Sequence, residues 1–97
     1  MVVGILRLRL MIPGAHSLKE KRQALRSIKD RLRGQYNVSV AEVGSQDLWQ
    51  VAELGVSAVG TDRAFAESVL DSVVRLARQS RQVSLAGAEK EFVQGGL

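Results

Sequence analysis

The hydrophobic period of this chain switches from two to 3.6 and back, and does so twice, an order that few architectures accommodate. Leu6, Leu8, Leu10 and Ile12 share one face of an alternating run, with Ile5, Arg7, Arg9 and Met11 on the other. That is the signature of a half-buried strand. Pro13-Gly14 ends it, because proline has no N–H for the ladder and glycine permits the turn. Ser17 and Glu20 have capping-box spacing and open a helix whose seam is Leu18, Leu25, Ile28 and Leu32. Gly34 is the expected stop.

The second half repeats the order. A strand is expected over residues 36–43, a turn at Gly44-Ser45-Gln46-Asp47, and a third strand over 49–59 with Ala52, Leu54, Val56 and Ala58 on one side. Gly60 breaks it, and Thr61 or Asp62 caps a second helix. Phe65, Val69, Val73 and Leu76 form that helix's apolar row, widened by Ala66, Leu70 and Ala77. A last strand starts near Val83, with a bulge expected at Gly87.

The resulting β-α-β-β-α-β order, with right-handed crossovers, places both helices on one face of a four-stranded antiparallel sheet. The expected fold is the α+β plait of ferredoxin-like domains, strand order 4-1-3-2; a swapped or open sheet is the alternative. One domain is expected over residues 1–93, with 94–97 as a loose C-terminal tail.

Composition removes several function classes. The 97 residues include no cysteine and one histidine, His16, so thiolate chemistry and zinc spacing are excluded. The carboxylates are scattered, and neither a GxxxxGK[ST] loop nor a GxGxxG after a strand occurs. No metal and no cofactor is expected. Arg7 and Arg9 interrupt the N-terminal apolar run, and no stretch approaches membrane-spanning length, so a cytoplasmic protein is expected.

Charge carries the main functional signal. The formal net charge is +4, and ten of the fourteen basic residues are arginine, whose planar fork suits phosphate. On the first helix Lys19, Arg22, Arg26, Lys29 and Arg33 recur at intervals of three and four. They form one stripe roughly 20 Å long at about 1.5 Å per residue. Such a rail can follow a phosphate backbone; the competing reading is a solvated face whose long stems shield the seam. Lys21, near the seam, is expected to snorkel.

Other candidates are weaker. Arg7 and Arg9 should lie on the open sheet face opposite Glu53 and could contact RNA, although the first strand lacks the aromatics that RNA-recognition domains stack on. Leu48 and Trp49, beside the hairpin turn, are candidate partner contacts, against the alternative that Trp49 folds over the core's edge. Ile5, Met11 and Trp49 raise a homodimer through the open sheet face as the alternative function. The Gly14–Lys19 loop is a potential anion site at a helix N-terminus. An acylphosphatase-like hydrolase there is disfavoured, since the loop holds no arginine and Asn37 is the chain's only asparagine.

Several separated segments also resemble one family. Ser17-Leu18-Lys19-Glu20-Lys21-Arg22, Ser27-Ile28-Lys29, Asn37-Val38-Ser39-Val40-Ala41-Glu42-Val43, Gln46-Asp47-Leu48-Trp49-Gln50 and Leu54-Gly55-Val56 look like the YlxP-like family of small bacterial proteins (domain of unknown function 503). The resemblance implies a ferredoxin-like fold and a setting among genes of translation initiation and ribosome maturation. It supplies no catalytic residues. The expectation is a non-catalytic basic module associated with RNA or a ribosomal subunit.

Overall fold

The computed structural model describes residues 1–96. The element order is β1 (Val2–Met11), α1 (Leu18–Gln35), β2 (Ser39–Gly44), β3 (Val51–Gly60), α2 (Arg63–Gln79) and β4 (Ser84–Gln94). The four strands form one antiparallel sheet in the order β2-β3-β1-β4, the expected plait. Among the described residues no helix is long and apolar enough to cross a membrane.

The alternating strands fix which face is covered. Leu6, Leu8 and Leu10 of β1 and Ala52, Leu54 and Val56 of β3 are buried beneath the helices. Leu25, Ile28 and Leu32 of α1 and Leu70, Val73 and Leu76 of α2 complete the core. The helix α2 lies over β1, β3 and β4, whereas α1 packs over β2 and touches α2. Gly4 permits the close seat of α2, since a Cβ there would stand 2.9 Å from Leu70 Cδ1.

Both helices are capped, with adjustments. Ser17 Oγ accepts from Glu20 N at 3.1 Å, but the Glu20 carboxylate reaches back to His16 N at 2.9 Å rather than to the cap's own amide. Asp62, not Thr61, caps α2 by accepting from Phe65 N at 2.9 Å. Gly34 does not stop α1, which runs on to Gln35 and exits through an extended Tyr36 whose N–H still donates to Leu32 O. No left-handed residue is needed at that exit, and a Cβ on Gly34 would meet nothing within 4 Å. Gly34→Ala is therefore expected to raise stability by about 0.5–1 kcal/mol. Thermal denaturation checks this; an unchanged or lower midpoint would mean that the helix does not extend through residue 34.

Two expected details shift. Phe65 is 54% exposed and lies outside the buried row of α2, its ring against Gly60 at the end of β3. Trp49 precedes β3, which starts at Val51, and β2 starts at Ser39 rather than at residue 36. The bulge in β4 is present: β1 slips register between Arg9 and Leu10, so that Ala86 is the extra residue beside Gly87. Gly87 leaves room for the Arg9 guanidinium, which lies within 3.1 Å of where its Cβ would stand.

The far edge is tied down by charge. Lys90 Nζ donates to Asp71 Oδ1 at 2.7 Å and Glu67 Oε2 at 3.0 Å, joining β4 to α2. These bonds, that to Asp71 foremost, hold the ammonium above the ordinary lysine value. The raised direction means that this stabilisation is present at neutral pH and is lost only as pH climbs through the raised value. At the C-terminus, Gln94 still belongs to β4 and Gly95 N donates to Met1 O at 2.8 Å; Leu97, the last residue of the expected tail, lies outside the described residues.

Candidate nucleic-acid interface

Formal charge is concentrated in one helix. Residues 18–35 contain seven of the fourteen basic residues and two of the ten acidic ones, a formal +5 against +4 for the whole chain. Everything outside α1 therefore sums to −1. The helix buries Leu25, Ile28 and Leu32, and the same 3.6-residue period that turns those side chains inward turns the cations out.

Lys19, Arg22 and Arg26 are exposed and Lys29 is half-buried. Among the described residues, no carboxylate lies within ion-pair distance of any of these four. Arg33 differs. Its guanidinium donates to Val40 O at 2.7 Å and stands 3.9 Å from Asp30. Val40 belongs to β2, an edge strand, so Arg33 covers a carbonyl that no neighbouring strand takes. Arg22, Arg26, Lys29 and Arg33 border a shallow cleft between α1 and β2, with Asp30 and Glu42 at its margin.

Lys21 does not snorkel. It is 1% exposed, with Nζ 3.0 Å from Glu42 Oε2 and donating to Ser45 O at 2.6 Å. The Glu42 contact reaches ion-pair distance without hydrogen-bond geometry, so this buried oxygen accepts no hydrogen bond. The cause is register. Glu42 lies two residues after buried Val40 on the helix-facing side of β2, directly under the α1 seam. The sequence signal was available: Lys21 falls three residues after Leu18 and four before Leu25, within the seam itself.

The remaining candidates lie elsewhere. Arg7 and Arg9 alternate with the buried leucines of β1 and so occupy the open sheet face, opposite α1. The sheet separates them from the stripe. Arg9 is 4.0 Å from Glu89 across to β4. Exposed Ile5, Met11, Val43, Val59 and Val93 share that open face with Glu89 and Glu91. Leu48 and Trp49 are 54% and 52% exposed, so the tryptophan does not fold over the core. In the Gly14–Lys19 loop, the capping box takes up the amides of His16 and Glu20. No group of three or more metal-ligating side chains occurs among the described residues.

The fold and the charged helix define a ferredoxin-like α/β module whose distinguishing surface is cationic. The family model for "Protein of unknown function (DUF503)" matches residues 3–90, and the chain belongs to that family. It is 38% identical over 73 residues to the "Uncharacterized protein YlxP" of Bacillus subtilis (strain 168), an alignment covering 75% of this chain and 79% of the relative. Among solved structures it is similar to a C-terminal segment of the alpha subunit of aIF2 from Pyrococcus abyssi. That match has a TM-score of 0.52 and 21% identity, and covers 98% of this chain and 51% of the other. The de novo designed ferredoxin-fold protein LFR1 1 matches with a TM-score of 0.53 and 14% identity, covering 96% of this chain and 84% of the design. At these identities the structural matches establish the fold alone.

Proposed function

We propose that the protein is a non-catalytic binding module for RNA, free or within a ribosomal subunit, with Lys19, Arg22, Arg26 and Lys29 as its principal contacts. The observation that carries this reading is four outward cations on one helix with no carboxylate in ion-pair distance among the described residues. A surface of that kind attracts polyanions by releasing their condensed counterions. Arg33 is already engaged with the β2 edge and contributes field more than contact. Arg7 and Arg9, on the far face, belong to a separate surface.

The test is the salt dependence of binding to RNA and to isolated ribosomal subunits. Four phosphate contacts are expected to give a log affinity that falls with log salt at a slope of about −3. A slope near zero, or no association at low salt, would overturn the proposal.

A homodimer through the open sheet face is the second reading. It is favoured by the exposed apolar residues there and by Arg7 and Glu91, which the fold leaves without an ion-pair partner among the described residues. Sedimentation velocity at micromolar concentration separates the two, since a monomer that binds RNA removes the second.

A further inference from the structure

We infer that the basic face is built for single-stranded rather than paired RNA, with Trp49 serving as the platform on which an unpaired base stacks. The inference rests on the RNA reading above and adds the form of RNA recognised. Its starting point is a large aromatic left in water: Trp49, the chain's one tryptophan, is 52% exposed, with exposed Leu48 beside it. Tryptophan is strongly buried on average.

The loop that carries it is held on both sides. Before Trp49, the Ser45 carbonyl accepts from Leu48 N at 3.2 Å and from Lys21 Nζ at 2.6 Å, which fastens the turn to α1. After Trp49, Gln50 Nε2 donates to Pro13 O at 3.3 Å and Ala15 O at 3.1 Å, and Gln50 O accepts from Ile12 N at 2.8 Å. The ring is thus presented from an anchored segment, which lowers the entropy lost when a ligand orders it.

The anchor also fixes where the loop that carries the ring stands. Lys21 lies between Lys19 and Arg22 in the chain, so the Trp49 loop abuts the N-terminal turns of the helix that carries the cationic stripe. An aromatic platform beside a cationic track is the combination that single-strand binders use: phosphates follow the charges while base faces stack on the ring. Paired RNA offers no free base face along its length, and its deep major groove is too narrow for side chains. On a duplex, Trp49 has nothing to stack against except a frayed end.

The experiment uses the intact chain and its own fluorescence. Trp49 emission is followed while a twelve-nucleotide oligo(U) or a twelve-base-pair RNA duplex is added at low salt. Oligo(U) is expected to quench the emission and to bind at least tenfold more tightly than the duplex. Trp49→Ala should weaken oligo(U) binding about tenfold while leaving duplex affinity unchanged, and Trp49→Phe should retain most of it. For the variants, binding is read by anisotropy of a labelled oligonucleotide, and a circular-dichroism melt confirms that they fold. Equal affinity for the two RNAs with unmoved Trp49 emission overturns the inference and leaves the polyanion reading standing. Absence of binding to either overturns both.

Discussion

Lys21→Ala is expected to lower stability by about 3 kcal/mol, which corresponds to a fall in midpoint of roughly 12–24 °C for a domain this small. The side chain is 1% exposed, so its removal opens a cavity between α1 and β2. It also strands two acceptors. Glu42 Oε2, which already takes no hydrogen bond, loses the ammonium 3.0 Å away, and the Ser45 carbonyl loses its 2.6 Å donor. Breaking a buried pair from one side leaves an uncompensated charge, which costs more than the pair itself contributes. Glu42 keeps about a fifth of its surface in water, which places the expectation at the low end for buried pairs.

The double variant Lys21→Met/Glu42→Leu separates packing from charge. It fills the space, removes both charges and is expected to return to within about 1 kcal/mol of the parent. Chemical denaturation measures both variants. A Lys21→Ala cost under about 1 kcal/mol would mean that the ammonium reaches water, and the account of the α1–β2 junction would fail.

The second large effect concerns binding. Reversing Lys19, Arg22, Arg26 and Lys29 to glutamate takes the formal net charge from +4 to −4. Affinity for RNA near 0.1 M salt is expected to fall by about a thousandfold or more, as four attractive phosphate contacts become repulsive. The salt slope should collapse with it. Stability should change by less than about 1 kcal/mol, because none of the four side chains is in an ion pair among the described residues that reversal would break. Arg7→Glu/Arg9→Glu, which reverses two charges on the opposite face, serves as the positional control and is expected to lower affinity less than about threefold. Equal binding by the fourfold variant and the parent would remove α1 as the contact.

These two variants probe adjacent residues with opposite roles. Lys19 and Arg22 face solvent while Lys21 faces the core, a difference that helical geometry makes abrupt because neighbours in sequence lie about 100° apart around the axis. The stripe was legible because its members repeat at intervals of three and four. The exposed tryptophan was not. Exposure of a residue beside a turn depends on whether other segments close over it, and here Gln50 binds back to Pro13 and Ala15 while Trp49 is left outside.

The same distinction explains the misplaced Phe65 and Gly34. Periodicity assigns a helical face but not how completely the neighbouring elements cover it, so Phe65 stays largely in water. Glycine marks a helix end only where the exit needs a left-handed residue; here the chain leaves through an extended Tyr36.

Local patterning in the sequence determined the six elements, their order and the covered face of the sheet, because periods of two and 3.6 are properties of short segments. The excess cationic charge of one helix was written there as well. Tertiary structure alone decided that Lys21 meets Glu42 and Ser45, that Arg33 closes the β2 edge, and that the Trp49 loop stands against the basic helix. Each of those depends on residues between seven and twenty-four positions apart being brought within hydrogen-bond range. Strand register and helix docking set such distances, and no local period encodes them.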